Sequence, residues 1–134
     1  MVGILVVTHE NFGEHLICSA THIMGGRPEQ LINLGIFAEN DPDDVLISMR
    51  TLVQQLDTGD GVLILCDVLG ATPCNLASRL IQTDQVACVT GANLPMLIKT
   101  LTYRNEPLSV VVEKALSGGK DGVTEIPAGI HYAT

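Results

Sequence analysis

The sequence predicts an α/β fold in which a parallel β-sheet carries helices on both faces. Short apolar runs rich in β-branched residues recur along the chain, as in strands that are buried on both sides. Segments with apolar residues at helical spacing separate those runs, and this alternation is typical of parallel sheets. The chain has 134 residues, of which 46% are hydrophobic, so we expect one domain over residues 1–134.

Four apolar runs predict the strands of this sheet. The first run stops abruptly at Thr8-His9. The third run is the most apolar, so we place the third strand near the centre of the sheet. The predicted strands cover residues 2–7, 30–37, 62–66 and 86–89.

Helical spacing of apolar residues predicts five helices between and after the strands. They cover residues 12–24, 42–56, 74–82, 94–103 and a last segment from about 107 to 117. Residues 40–42, 72–73 and 93–95 each join a capping side chain to a proline in the first turn, which is typical of a helix start. The glycine pairs 25–26 and 118–119 are expected to end the first and the last helix.

Right-handed crossovers leave few strand orders for four such units. We expect the flavodoxin-like order 2-1-3-4, which places the first strand beside the third. Sheets of this kind bind ligands at their carboxyl edge, where the direction of winding reverses. His9 follows the first strand and Asp67 follows the third. The topology therefore predicts that these two side chains meet.

A histidine paired with a carboxylate can do chemistry at its second nitrogen. The carboxylate fixes the tautomer and raises the basicity of the free nitrogen. Two helix starts, after Asn11 and after Thr72, are expected beside the pair, and their free N–H groups favour an anion, phosphate above all. These features favour a phosphohistidine at His9. Position alone leaves open a strand-end histidine that only makes hydrogen bonds.

Composition argues against several classes of partner. The net charge is −8 and the seven Lys and Arg residues are scattered, whereas nucleic acids and anionic membranes select basic surfaces. A partner with a basic face is compatible with this charge. No apolar run is long enough for a signal peptide or a membrane span. We therefore expect a cytoplasmic protein. No Walker lysine or metal cluster is evident, so we expect no bound nucleotide, Mg²⁺ or other cofactor.

The cysteines and the other histidines suggest little chemistry. The four cysteines form no C-x-x-C motif, so we expect isolated thiols in a reducing compartment. His15, Cys18 and His22 could begin a metal site on the first helix, but no further ligands are evident. A polar stripe on that helix is the simpler interpretation, and we expect no metal.

Three segments of the chain, in the same order and at similar spacing, resemble the signatures of one protein family. Residues 8–26 carry Thr-His followed by a helix and Met-Gly-Gly. Residues 67–77 carry an aspartate, a glycine-containing turn and Thr-Pro-x-Asn-x-Ala, and residues 90–97 carry Gly-x-Asn-Leu-Pro-Met. Together these segments resemble the mannose-type enzyme IIA of the bacterial phosphoenolpyruvate-dependent sugar phosphotransferase system.

The resemblance implies a flavodoxin-like fold and a phosphocarrier. In that family the histidine after the first strand accepts a phosphoryl group from phospho-HPr and passes it to a IIB component. By position the acceptor is His9, the aspartate that orients it is Asp67, and the hydroxyl that faces the phosphoryl group is that of Thr72. The resemblance also implies a homodimer that exchanges a C-terminal strand, which would be residues 123–126. The expected partners are therefore HPr, a separate IIB component and a second copy of the chain.

The sequence departs from the family pattern at several positions. Glu10 stands where a glycine usually follows the histidine, and Cys66 stands where a Thr or Ser usually precedes the aspartate. Ala71 replaces the second glycine of the turn, so this position should not need a positive φ. No IIB domain follows within these residues. An alternative is therefore a regulatory protein of the same fold, which signals by the phosphorylation state of His9.

Unrelated flavodoxin-like proteins are a third possibility. A response regulator would have acidic residues where Thr8-His9 stands. A flavodoxin would have a phosphate loop and aromatic residues around the flavin, and only 3% of this chain is aromatic. A hydrolase built on His9 and Asp67 would need a nucleophile, for which Thr72 is the available candidate.

Overall fold

The computed structural model describes residues 1–133 and shows a four-stranded, all-parallel sheet. The strand order is β2-β1-β3-β4, which confirms the flavodoxin-like order predicted from the sequence. The strands are β1 (Gly3–His9), β2 (Leu31–Ile36), β3 (Val62–Cys66) and β4 (Val86–Thr90). The helices are α1 (Phe12–Met24), α2 (Pro42–Leu56), α3 (Thr72–Ser78), α4 (Leu94–Tyr103) and α5 (Leu108–Asp121).

The sheet is covered on both faces by aliphatic side chains. Ile4 and Val6 of β1 pack with α1, α4 and α5 on one face. Leu5 and Val7 pack with α2 and α3 on the other face. This alternation follows from the period of two along a strand, and it makes every residue from 3 to 8 of β1 buried. His9 is the first exposed residue of the strand, so the fold presents it at the edge of an otherwise buried sheet.

Two of the three predicted helix caps are confirmed. The Asp41 side chain accepts a hydrogen bond from the Asp43 N–H at 2.9 Å, and the Asn93 side chain accepts one from the Met96 N–H at 2.9 Å. At α3 the prediction was wrong in detail, because Thr72 is the first helical residue and Ala71 is the N-cap, without a side-chain cap bond.

Helix α3 is also shorter than predicted. It ends at Ser78, whereas apolar spacing suggested continuation to residue 82. The chain beyond it turns back on itself, because Gln82 and Val86 exchange backbone hydrogen bonds of 3.0 and 2.9 Å. These groups hold the start of β4 and are unavailable to a longer helix.

The turn before α3 needs no glycine at position 71. Ala71 has φ −88°, as expected for such a position.

The last helix passes through the glycine pair that was predicted to end it. A Cβ atom at Gly118 would lie 2.8 Å from Cβ of Lys99, and one at Gly119 would lie 2.7 Å from Cε of Met96. Both glycines therefore serve the close approach of α5 to α4. The helix continues to Asp121.

The segment after α5 forms no strand within the described residues of a single chain. Residues 123–126, which were predicted to form an exchanged strand, pair with no strand of their own chain. Val123 and Ile126 are exposed. Exchange with a second subunit stays a prediction.

The expectation of four isolated thiols is wrong for one pair. Cys66 at the end of β3 and Cys74 in the first turn of α3 form a disulfide, with a Cα–Cα distance of 5.6 Å. The loop at residues 67–71 folds α3 back over the end of β3 and so brings the two residues within bridging distance. Cys18 and Cys88 are free thiols.

Within residues 1–133, no helix is both long and apolar enough to cross a membrane.

Candidate functional site

The structure brings His9 and Asp67 together at the carboxyl edge of the sheet. His9 ends β1, Asp67 follows β3, and these strands are neighbours. Nδ1 of His9 lies 2.7 Å from Oδ2 of Asp67. The same oxygen accepts a hydrogen bond from the backbone N–H of His9 at 2.9 Å. The carboxylate thus contacts both the ring and the main chain of one residue.

The contact determines which nitrogen of the imidazole is available. In the neutral ring, Nδ1 carries the proton that it donates to Asp67, so Nε2 keeps a lone pair. The His9 side chain is 50% exposed, whereas the Asp67 side chain is only 9% exposed. The carboxylate is therefore largely shielded, and the imidazole is the group that another molecule can reach.

Opposing effects act on the Asp67 carboxyl. Burial raises its pKa, whereas hydrogen bonds from the backbone and side chain of His9 and from the N–H of Val68 lower it by more. The net result is a pKa below the ordinary value of 3.8. Asp67 is consequently ionised near neutral pH, as a carboxylate that accepts from a histidine N–H needs to be.

A buried hydroxyl that the sequence analysis did not single out fixes the start of α1. Thr8 is fully buried, and its Oγ1 accepts a hydrogen bond from the N–H of Gly13 at 2.8 Å. Asn11, which was expected to begin this helix, is its N-cap residue but makes no side-chain cap bond. Thr8 therefore positions α1 beside the adjacent His9. A signal was available in the sequence, since Thr8 is the one hydroxyl residue in the apolar run.

Two clefts meet at His9. The first has a volume of about 610 Å³ and is bordered by α1 and by the loops after β3 and β4. The second has a volume of about 400 Å³ and lies between the loop after β2 and the start of α3. His9 and Glu10 line both clefts, and Asp67 lines the first. His15, which was assigned to a polar stripe on α1, also lines the first cleft.

Thr72 shares the second cleft with His9. It is the exposed first residue of α3 and is followed by the buried Pro73. The structure thus places Asp67 in contact with the exposed imidazole of His9 and Thr72 in a cleft that His9 also lines. In the described part of the chain, no group of three or more His, Cys, Asp or Glu residues is arranged to hold a metal ion.

Glu10 has an unusual backbone conformation, with φ +46°. Its N–H donates a hydrogen bond to the carbonyl of Ile36 at 2.9 Å, which continues the pairing of β1 with β2. Its carbonyl lies against Gly35, where a Cβ atom would overlap it. The glycine in β2 therefore accommodates the turn that follows His9.

These features define the class of protein as one that presents an oriented imidazole at the carboxyl edge of a flavodoxin-like sheet. Residues 3–115 match the family model EIIA-man, described as PTS system fructose IIA component. The chain therefore belongs to this family, and the resemblance to mannose-type enzyme IIA is confirmed. Members of this family are IIA components of the sugar phosphotransferase system.

Individual relatives agree with this assignment. The chain is 28% identical over 130 residues to the PTS system mannose-specific EIIAB component of Escherichia coli K12, covering 95% of this chain and 40% of that protein. It thus spans well under half of that relative. It is 28% identical over 105 residues to the PTS system fructose-specific EIIA component of Bacillus subtilis 168, covering 78% of this chain and 71% of that protein.

Solved structures show the same fold. Phosphotransferase system component EIIA from Streptococcus agalactiae superposes with a TM-score of 0.83 at 25% identity, covering 93% of this chain and 97% of that one. The mannose/sorbose specific IIA subunit from Enterococcus faecalis superposes with a TM-score of 0.85 at 22% identity, covering 98% of both chains.

Proposed function

We propose that the protein is a phosphocarrier that accepts a phosphoryl group from phospho-HPr on Nε2 of His9 and passes it to a IIB component. The observation that carries this proposal is the contact of 2.7 Å between Nδ1 of His9 and Asp67, which leaves Nε2 as the reactive nitrogen of an exposed ring. Membership of the IIA family supports the same conclusion. The proposed location is the cytoplasm.

The bonds and charges of the transfer balance without a metal ion or a general base. The lone pair on Nε2 of His9 forms a new N–P bond while the N–P bond of the donor histidine breaks. The donor ring, protonated on its other nitrogen, leaves as neutral imidazole and keeps the electron pair of the broken bond. The His9 ring then carries the phosphoryl group and a positive charge, and the Asp67 carboxylate offsets that charge through Nδ1–H.

Positioning is the main contribution of the protein to such a reaction. Asp67 accepts one hydrogen bond from the ring and one from the backbone N–H of His9, so Nε2 has a fixed direction before a donor arrives. Thr72, in the cleft beside His9, is proposed to donate its hydroxyl hydrogen to a phosphoryl oxygen. Passing the group to IIB reverses these steps at the same nitrogen.

A direct test follows the phosphoryl group. The protein is incubated with labelled phosphoenolpyruvate, enzyme I and HPr, and acid-labile, protein-bound phosphate is measured. We expect label on the wild type and on His22→Ala, an exposed α1 variant outside both clefts, and none on His9→Ala. Label that survives in a folded His9→Ala variant would contradict the assignment. Adding candidate IIB proteins then separates a relay, which discharges, from a regulator, which does not.

We also propose that the C-terminal segment pairs with a second copy of the chain. Val123, Ile126 and Tyr132 are 78%, 63% and 70% exposed, so the segment presents apolar side chains with nothing to cover them in one chain. Light scattering after size exclusion is expected to give a dimer for the full chain. Removing residues 123–134 is expected to give a monomer, and a dimer that persists would contradict the exchange.

A further inference from the structure

Glu10 adopts a left-handed backbone conformation that glutamate disfavours. Its φ is +46°, a region that glycine enters freely and that residues with a Cβ enter at a cost in free energy. The neighbours impose this conformation, since the N–H of Glu10 pairs with Ile36 and its carbonyl packs on Gly35. Any residue at position 10 meets the same constraint, so glycine would suit the fold better.

Two other residues with a side chain have positive φ, and each has a local explanation. The side chain of Gln30 donates to the carbonyl of Leu56 at 3.2 Å. Asp84 has φ +64° and lies in a turn, and aspartate tolerates this conformation. Glu10 has neither explanation. Within residues 1–133, its carboxylate makes no hydrogen bond or ion pair.

Glu10 borders both of the clefts into which a phosphoryl group on His9 would project. Glu10 is exposed, adjoins His9 and is the one residue besides His9 that lines both clefts. The other acidic residues that line the clefts are Asp67 and Glu39, and among the described residues no Lys or Arg lines either cleft. The negative charge of Glu10 is therefore not neutralised at short range. A strained residue whose side chain makes neither a hydrogen bond nor an ion pair points to a role in function.

We infer that Glu10 makes phospho-His9 a stronger phosphoryl donor by repelling the phosphoryl group that His9 carries. This inference rests on the proposed phosphocarrier function. A phosphoryl group carries up to about two negative charges near neutral pH. An exposed carboxylate beside it raises the free energy of the phosphorylated state but hardly affects the free one. The equilibrium with a partner then shifts toward the partner by about three- to tenfold, and salt reduces the shift.

The experiment measures how phosphate divides between this protein and HPr at equilibrium. Glu10→Gln keeps the side-chain length and removes the charge, whereas Glu10→Asp keeps the charge. Glu113→Gln, on the exposed side of α5 and outside both clefts, removes the same charge elsewhere. We expect the equilibrium constant for phosphate transfer from phospho-HPr to this protein to be about three- to tenfold larger for Glu10→Gln than for the wild type at low salt, and the difference to shrink in high salt. Glu10→Asp and Glu113→Gln should divide phosphate as the wild type does.

Several outcomes would overturn the inference, and they differ from failure of the proposed function. Absence of label on the wild type would remove both. A labelled wild type with the same division in Glu10→Gln would remove only the role of Glu10. An equal shift in Glu113→Gln would show that the effect comes from the net charge of the protein. An equal shift in Glu10→Asp would show that it comes from the shape of the side chain and not from its charge.

The backbone strain at Glu10 has its own test. Glu10→Gly, which relieves the strain, should raise the urea midpoint of unfolding above that of Glu10→Gln, and an unchanged midpoint would contradict the strain.

Discussion

A single oxygen of Asp67 accepts two hydrogen bonds from His9, one from the backbone N–H at 2.9 Å and one from Nδ1 at 2.7 Å. The other oxygen accepts from the N–H of Val68 at 2.9 Å. Because one carboxylate oxygen binds both the backbone N–H and Nδ1 of His9, the orientation of the ring relative to the backbone is fixed.

Replacing Asp67 with asparagine should slow phosphorylation of His9 by about 10- to 100-fold. A neutral amide is a weaker acceptor, and it no longer offsets the positive charge of the phosphorylated ring. The rate of label transfer from phospho-HPr measures the effect, and nitrogen NMR of the imidazole reports the tautomer. Asp84→Asn, in the turn before β4, is the matched control. A wild-type rate in Asp67→Asn would show that the contact does not serve the transfer.

The depressed pKa of Asp67 predicts a pH-dependent contribution to stability. The folded state binds the carboxyl proton less tightly than the unfolded state, whose ordinary pKa is 3.8. The contribution is therefore fully present above that pKa and is lost as pH falls through the lower, folded pKa. The difference in free energy of unfolding between wild type and Asp67→Asn should shrink on acidification. Urea titrations between about pH 3 and pH 7 test this, and a difference that grows toward acid pH would reverse the sign.

Thr72→Ala should separate a binding role of the hydroxyl from a capping role. Loss of an N-cap hydroxyl costs about 1 kcal/mol, but here Ala71 is the N-cap. We expect a change in unfolding free energy within about 0.5 kcal/mol, as for ordinary surface substitutions. The rate of phosphoryl transfer should fall on the order of tenfold or more, and Thr72→Ser should restore it. A large loss of stability with an unchanged rate would favour the capping role instead.

Gly118→Ala should destabilise the protein although alanine favours helices. The added Cβ would lie 2.8 Å from Cβ of Lys99 and 3.2 Å from the carbonyl of Pro95, so α5 would have to move away from α4. Overpacking of this kind costs about 1–3 kcal/mol, which opposes the gain of about 1 kcal/mol in helix propensity. Gly26→Ala is the control, because nothing lies within 4 Å of a Cβ there. Urea unfolding of both variants measures the difference, and a stabilised Gly118→Ala would contradict the packing argument.

The sheet and the contact between His9 and Asp67 could be predicted because they depend on the apolar pattern of the sequence and on the strand order. Apolar runs located all four strands, and apolar spacing gave the bounds of α1 and α4 as the structure has them. The strand order then brought His9 next to Asp67 without knowledge of any distance. The nearly invariant handedness of crossovers left few possible orders, and the flavodoxin-like one among them is the order observed.

Features that depend on packing could not be predicted in this way. Gly118 and Gly119 look like a helix end in the sequence, because the sequence does not show that α4 lies against them. The pairing of Cys66 with Cys74 depends on how the loop folds α3 over β3. The conformation of Glu10 depends on its contacts with β2.

The occupied Nδ1 of His9 also constrains the order of events in a relay. In the proposed relay Nε2 is the one free ring nitrogen, so the proteins that bring and remove the phosphoryl group would have to approach the same atom in turn. Such a relay would exclude a complex of all three proteins at Nε2, and its turnover would follow a ping-pong scheme. An excess of dephosphorylated HPr would then compete with IIB for this place, and an excess of phosphorylated IIB would compete with phospho-HPr. The flux would therefore depend on how quickly each product dissociates.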